Sequence, residues 1–303
     1  MKMNGVCDPS IVQGAISELN DIIDHKSDKI IVIKSTIPPG TTENFNREYS
    51  NLNIVFNPEF LTEANFIEDF RNQNRIILGG PRPATTAVKQ FYIKIFPKAT
   101  IVKTGSTYAE MVKYFANTFL ATKVSFANEM KIICEKLEID YDKVVEYAIY
   151  DNRLGKSHWA VPGPDGKPGF GGSCFPKDTR ALNATFKKNK VKSKLVKSVI
   201  EFNEKRKTNM VIKAKKMIGP RLKGKNVAFL GITFKPNTDD IRESSSLVII
   251  PQLIKEGAIV KAHDPAFNNN FKQIKEFRNV IWFKNVFGAI KDANLLIIHT
   301  EWN

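Results

Sequence analysis

Cysteine and histidine are scarce. Three cysteines (Cys7, Cys134, Cys174) and four histidines (His25, His158, His263, His299) in 303 residues fall at no metal-ligand spacing and form no CxxC pair. A zinc site and a disulfide framework are therefore not expected, and no metal is assigned. Long apolar runs are missing as well. Ile30–Ile33 and Leu295–Ile298 are among the longest, far short of the ~20 residues of a membrane-spanning helix, so no membrane association is expected. The opening residues, MKMNGVCDPS, hold no apolar run and no small-residue cleavage motif. With an odd number of thiols, that points to a reducing, cytoplasmic setting. Neither a low-complexity tract nor a repeat of about 20 to 50 residues is visible.

What is present is ordinary globular usage: 42% hydrophobic and 25% charged residues, which excludes intrinsic disorder and fibrous structure. At ~150 residues per domain the length suggests about two domains. The net charge of +15 is unevenly spread, because fifteen Lys and Arg fall between Lys187 and Lys225 against Glu201 and Glu204 alone. A nucleic-acid stripe favours planar guanidinium forks and stacking rings. Here thirteen of the fifteen cations are Lys, with only Phe186 and Phe202 for company. The segment is read as a solvated helix face, not a nucleic-acid site.

Short β-branched runs mark strands near Lys29 to Lys34, Asn53 to Phe56, Arg75 to Leu78 and Thr100 to Val102. They return at Val227 to Gly231, Ile259 to His263 and Leu295 to His299, with a helix from about Ser245 to Glu256 stopped by Gly257. This alternation defines an α/β fold class. Between the two ends the pattern is helical. Tyr108, Val112, Phe115, Phe119, Phe126, Met130, Ile133 and Leu137 step by threes and fours apart from one longer interval, an apolar stripe about eight turns long. Val196, Val199, Asn203, Arg206, Met210, Ala214 and Met217 repeat the spacing within the basic segment, with two polar members.

The segment GFGGSCFPKDTRA, Gly169 to Ala181, is the richest in chemistry. Its glycines let backbone approach a ligand, and Cys174 stands where a helix begins, with Pro176 in the first turn. Helix N-termini favour thiolate over thiol, which suits a nucleophile; a small buried Cys beside a glycine loop is the plain alternative. Asp178, four residues on, shares the helix face and can orient water or a proton. Cys134, within the apolar stripe, is read as packing. Lys113 and Asn117, one turn apart, suit stabilisation of a developing oxyanion, against the plain alternative of an exposed helical Lys. Glu59 and Glu63 in NPEFLTE form a carboxylate pair just past a strand end, and Ser35 to Gly40 (STIPPG) is a rigid turn at another strand end, where open α/β sheets place ligands.

Six segments, KSTIPPGTT, NPEFLTEANFIEDF, AEMVKYFANTFLATKVSFANE, GFGGSCFPKDTRAL, GITFKPNTDDIRES and TEW, occur together and in order. In these the chain resembles the UDP-glucose 6-dehydrogenases of the UDP-glucose/GDP-mannose dehydrogenase superfamily, from about Ile30 to Trp302. The form GGSCFPKD is similar to the UDP-glucose branch; GDP-mannose relatives usually have Leu where Phe175 stands. The resemblance implies a partial Rossmann-type NAD domain over 1–104, a central long-helix dimerisation region over 105–220 and a second, Rossmann-like nucleotide-sugar domain over 221–303. It implies NAD as cofactor, UDP-glucose as substrate, and a homodimer through the central helices. The implied reaction oxidises the sugar C6 alcohol to a carboxylate through a Cys174 thiohemiacetal and thioester.

By the same resemblance Lys113 and Asn117 hold the C6 oxygen, Asp178 and Glu59 manage protons and water, and Thr36 lies beside the nicotinamide. Phe60, Leu61, Glu63, Lys167, Phe170, Gly171, Phe234 and Lys235 line the nucleotide sugar, and Arg153 reaches across from a second subunit. Ser35, Glu63, Lys177 and Arg242 touch NAD. The chain departs from the family in holding no GxGxxG turn, the element that cradles the dinucleotide pyrophosphate. It is expected to be a member shortened at both ends, either an enzyme or a catalytically silent nucleotide-sugar-binding or dimerisation fragment; a GDP-mannose-type dehydrogenase is the other alternative.

Overall fold

A computed structural model describes residues 6–23, 28–61, 66–163, 168–172, 174–234, 236–241 and 244–302, with backbone alone for 206–209. The first elements are α1 (Ser10–Ile22), β1 (Ile30–Ile33), α2 (Thr41–Glu48), β2 (Asn53–Phe56), α3 (Phe66–Arg71), β3 (Arg75–Gly79), α4 (Arg82–Ile95) and β4 (Thr100–Thr104). Helices α5 (Ser106–Lys136), α6 (Tyr141–Ala148), α7 (Cys174–Lys188) and α8 (Lys194–Ile218) follow. Then come β5 (Asn226–Leu230), α9 (Ser246–Lys255), β6 (Ile259–His263), α10 (Asn269–Gln273), β7 (Ile281–Trp282), α11 (Val286–Ile290) and β8 (Leu295–Ile298). The chain divides into two compact units, Met1–Phe119 with Lys177–Ser193 and Leu120–Pro176 with Lys194–Asn303.

In the first unit a sheet of order β1-β2-β3-β4 is covered on both faces. Alternation along β2 explains why: Ile54 and Phe56 join Ile16, Ile37 and Phe45 on one side, while Val55 joins Ile76, Leu78, Ala84 and Val88 on the other. Strands β1 and β2 are parallel, as are β3 and β4, but the pairs meet antiparallel at Phe56 and Gly79. Gly79 is dictated by a close approach. A Cβ there would lie 2.6 Å from the Ala109 Cβ and 2.8 Å from the Ser106 Cα, so only glycine lets α5 start against the strand end.

In the second unit the sheet β7-β6-β5-β8 is wholly parallel. Its core joins Val227, Phe229, Val260, Ala262, Leu295 and Ile297 to Val211 and Ala214 of α8 and to Ile249, Ile250 and Leu253 of α9. Most of the α8 stripe is buried as expected, with Val196, Val199, Asn203 and Ala214 inside and Met217 exposed. Lys197, Lys205, Lys213 and Lys216 stand on its exposed faces.

The apolar stripe of α5 is the larger correction. It exists as a pattern but mostly faces outward: Tyr108, Phe115, Phe119, Phe126 and Leu137 are between 50% and 73% exposed. The buried face is the other one, carrying Ala109, Glu110, Lys113, Tyr114, Asn117, Ala121, Ala127, Asn128 and Cys134. Small side chains there permit close approach, and the polar ones find partners. Periodicity gives two faces of a helix without saying which is inside.

Candidate functional site

In the first unit the site grows from the buried face of α5. Lys113 is only 5% exposed, which excludes the exposed-lysine alternative. Its ammonium donates to the main-chain oxygen of Glu59 and lies 5.6 Å from the centre of the Phe60 ring, over which Arg75 also sits at 4.3 Å. One turn along, the Asn117 amide donates to the Asp178 carboxylate at 2.6 Å. The other Asp178 oxygen receives the Lys177 ammonium, so a fully buried carboxylate is paired on both sides. Tyr114 lies on the same face. Burial, with Cys7 and Asp178 nearby, drives its phenol far above the ordinary value and keeps it protonated.

Glu59 follows β2 with its side chain exposed. The turn that carries it is set by Asn57, whose carboxamide oxygen accepts from Lys34 at 3.1 Å and from the Tyr92 hydroxyl at 2.7 Å. The Asn57 amide donates in turn to the Ile77 carbonyl at 3.0 Å. Burial lowers the Lys34 pKa, partly offset by the Glu59 charge. A cavity of about 260 Å³ opens beside this turn, lined by Lys34, Glu59, Phe60, Leu61 and Arg75 among others. Beyond β1, Ser35 is exposed and Thr36 half-buried, with the Thr36 carbonyl 3.6 Å from the Cys7 sulfur.

In the second unit α7 opens on Cys174, half-buried. The preceding loop is held by two asparagines: Asn203 grips Phe170 through both its N–H (2.8 Å) and its C=O (2.9 Å), and Asn128 accepts from Gly169 N–H at 2.9 Å. Phe170 and Phe175 meet edge to face, 6.0 Å apart, and Gly171 is half-buried. Phe234 donates its N–H to Asp240. Arg153 is exposed and donates to both oxygens of Asp151. Its turn is fixed by Lys123, which donates to the Leu154 carbonyl, and by Trp159, which donates to that of Gly155.

The structure thus brings Asn117 and Lys177 onto Asp178, and Lys113 onto the Glu59 main chain. Glu63, Lys167, Lys235 and Arg242 lie outside the described residues. Sequence reasoning missed Asn57, Glu110, Asn128 and Lys123, whose partners are remote in sequence; Asn203 had left a trace as a polar member of an apolar stripe. Among the described residues no group of three or more His, Cys, Asp and Glu side chains gathers to hold a metal. No described helix is long and apolar enough to cross a membrane.

Ser35 and Thr36 follow the carboxyl end of a parallel strand pair, where open α/β sheets hold nucleotides. The start of α2 does not fit the pyrophosphate. Its Gly40 and Thr42 amides, the kind of donors that bind phosphate, are already taken by the Glu110 carboxylate.

A four-stranded sheet flanked by helices in each unit, one of them wholly parallel, defines the nucleotide-binding class of α/β proteins. The sequence profiles of one family match in order: the NAD binding domain over 1–97, the central domain over 107–205 and the UDP binding domain over 228–303. The UDP-glucose 6-dehydrogenase of Rickettsia prowazekii (strain Madrid E) is 36% identical over 305 residues, covering 99% of this chain and 69% of that protein. A UDP-glucose dehydrogenase structure from Pyrobaculum islandicum matches with a TM-score of 0.80 at 30% identity, over 99% of this chain and 69% of that one. The UDP-D-ManNAc dehydrogenase of Pyrococcus horikoshii gives 0.75 at 25% identity, over 97% and 68%. The chain belongs to the UDP-glucose/GDP-mannose dehydrogenase family, an NAD-dependent oxidoreductase family.

Proposed function

We propose that the chain serves oxidation of the C6 alcohol of UDP-glucose to the carboxylate, giving UDP-glucuronate. NAD, when bound, supplies the hydride acceptor for each of the two oxidations. The Cys174 thiolate adds to the aldehyde carbon, forming a C–S bond, and retains the acyl group as a thioester until water cleaves it and restores the thiol. Lys113 and Asn117 stabilise negative charge on the C6 oxygen. Asp178 and Glu59 hold water and move its proton, and Thr36 with Ser35 borders the nicotinamide, with Glu63, Lys177 and Arg242 as further cofactor contacts. Phe60, Leu61, Phe170, Gly171, Phe234, Lys167 and Lys235 line the nucleotide sugar.

The observation that carries this reading is the burial of Lys113, Asn117 and Asp178, with the half-buried Lys177 paired to Asp178, an expensive placement of charge that a merely structural helix contact does not require. The name of the Rickettsia relative supports the choice of sugar. The three-part division at 1–104, 105–220 and 221–303, a cytoplasmic location and a homodimer are parts of the same proposal. The outward aromatic stripe of α5 supports the dimer, with Arg153 reaching the other subunit. A second reading, a different nucleotide-sugar substrate, is favoured by the likeness to the UDP-D-ManNAc enzyme.

Calorimetric titration with UDP-glucose, UDP-N-acetylmannosamine and GDP-mannose, paired with NADH formation from each, tests the reading. UDP-glucose is expected to bind at least about tenfold more tightly than the others, a difference of ~1.4 kcal/mol. Equal binding, or no binding of any, refutes it.

A further inference from the structure

Glu110 is completely buried on α5, one turn before Lys113 and two turns before Asn117. A buried carboxylate is costly unless hydrogen bonds or an opposite charge compensate it. This one accepts from the Gly40 N–H, from the Thr42 N–H at 2.8 Å and from the Thr42 hydroxyl at 2.7 Å. Gly40 adopts φ +90° and is the N-cap of α2; with the Thr42 N–H, it completes the arrangement by which helix starts hold anions. A second tie runs nearby, from the Thr107 hydroxyl to Glu43 at 3.1 Å.

We propose that Glu110 is a positioning residue: its carboxylate takes the place of a bound anion at the start of α2 and fixes the Ser35–Thr36 turn against the helix bearing Lys113 and Asn117. The path between is short and stiff. Thr36 is separated from Gly40 only by Ile37, which is buried in the core, and by Pro38 and Pro39. Thr41 closes the turn by donating both its N–H and its hydroxyl to the Pro38 carbonyl. The functional weight of this placement rests on the roles proposed above for Thr36, Lys113 and Asn117; the placement itself does not. Burial raises the Glu110 pKa against the pull of its hydrogen bonds, consistent with a desolvated carboxylate enclosed by neutral donors.

Anion rescue tests it. Glu110→Ala leaves two amides and a hydroxyl facing a carboxylate-sized space, so the full chain carrying it should melt lower and be raised by sodium formate by about 3 °C or more. The unsubstituted chain should respond to formate only as it does to sodium chloride. In nitrogen-15 threonine spectra, the Thr36 amide should move in the variant and return with formate, a response that simple loss of stability does not give. Should Glu110→Ala fail to fold, Glu110→Gln serves: its NH2 faces the Gly40 N–H, so the Thr36 and Thr42 resonances should shift and should not titrate with pH, whereas those of the unsubstituted chain should. An unmoved Thr36 amide, or equal formate effects on both proteins, overturns the proposal. In turnover with UDP-glucose, formate should restore kcat with little change in KM. If the unsubstituted chain makes no NADH, the functional reading fails while the melting and spectral results still decide Glu110.

Discussion

Replacing Asn203 tests how the loop before Cys174 is held. Asn203 is 3% exposed, and its carboxamide satisfies both backbone groups of Phe170, itself 9% exposed, at 2.8 and 2.9 Å. In Asn203→Ala a buried N–H and a buried C=O lose their partners together. Each such group costs about 1–3 kcal/mol when left unsatisfied. Some relaxation of the loop is expected, so we expect a total near 2–4 kcal/mol. Asn203→Leu restores volume without polarity and should cost as much, whereas simple cavity formation predicts that it recovers most of the loss. Asn203→Asp keeps the acceptor but turns an anion toward the Phe170 carbonyl, and should be the worst of the three at neutral pH. All three tryptophans, Trp159, Trp282 and Trp302, belong to the second unit, so fluorescence-detected urea unfolding reports on that unit. A shifted midpoint with an unchanged slope is the expected signature. A loss below ~0.5 kcal/mol for Asn203→Ala refutes the reasoning, because it would mean that the two Phe170 groups are satisfied elsewhere.

The other expectations follow from single residues. Gly231 has φ +79°, and a Cβ there would fall 2.5 Å from the Thr300 Cβ and 2.6 Å from its N, so Gly231→Ala should cost about 3 kcal/mol or more by the same unfolding assay. Burial and the Lys123 charge hold the His158 pKa below 6.5. The unfolded chain therefore takes up that proton first, and stability should fall as pH drops below 6.5 toward the lowered value, less steeply in His158→Gln. Cys174→Ser should abolish sustained turnover: one round of oxidation reduces NAD and leaves a slowly hydrolysed oxygen ester at C6, detectable by mass, so NADH should stop at a burst; near-normal steady NADH output removes Cys174 from the mechanism.

Much of the fold was legible in the sequence because β-branched runs bounded by glycine, asparagine or proline leave few alternatives. β2 and β6 span the residues their patterns indicate, and α9 ends just before Gly257, at φ +88°. The antiparallel meeting of β2 and β3 left no local sign, since one pair, Phe56 with Gly79, makes it. β7 is only two residues long and carries no periodicity at all. At the site, the spacing of Lys113 and Asn117 placed them on one face, but nothing local said that the face was inside. The gripping residues are harder still to read. Glu110 with Thr42, and Asn203 with Phe170, pair across 68 and 33 positions, and a lone Glu or Asn on a helix is ordinarily a solvated one.

The inverted helix α5 changes what substitution data on this protein should look like. On an ordinary amphipathic helix the large apolar positions are fragile and the polar ones permissive. Along α5 the map should reverse for the folding of a single chain: Tyr108, Phe115 and Phe119, all exposed, should accept Lys or Glu with little loss, whereas Glu110, Asn117 and Asn128, all buried, should accept almost nothing. Intolerance at the aromatic positions would then report on association rather than on folding, and separating the two requires no more than measuring each variant at two protein concentrations.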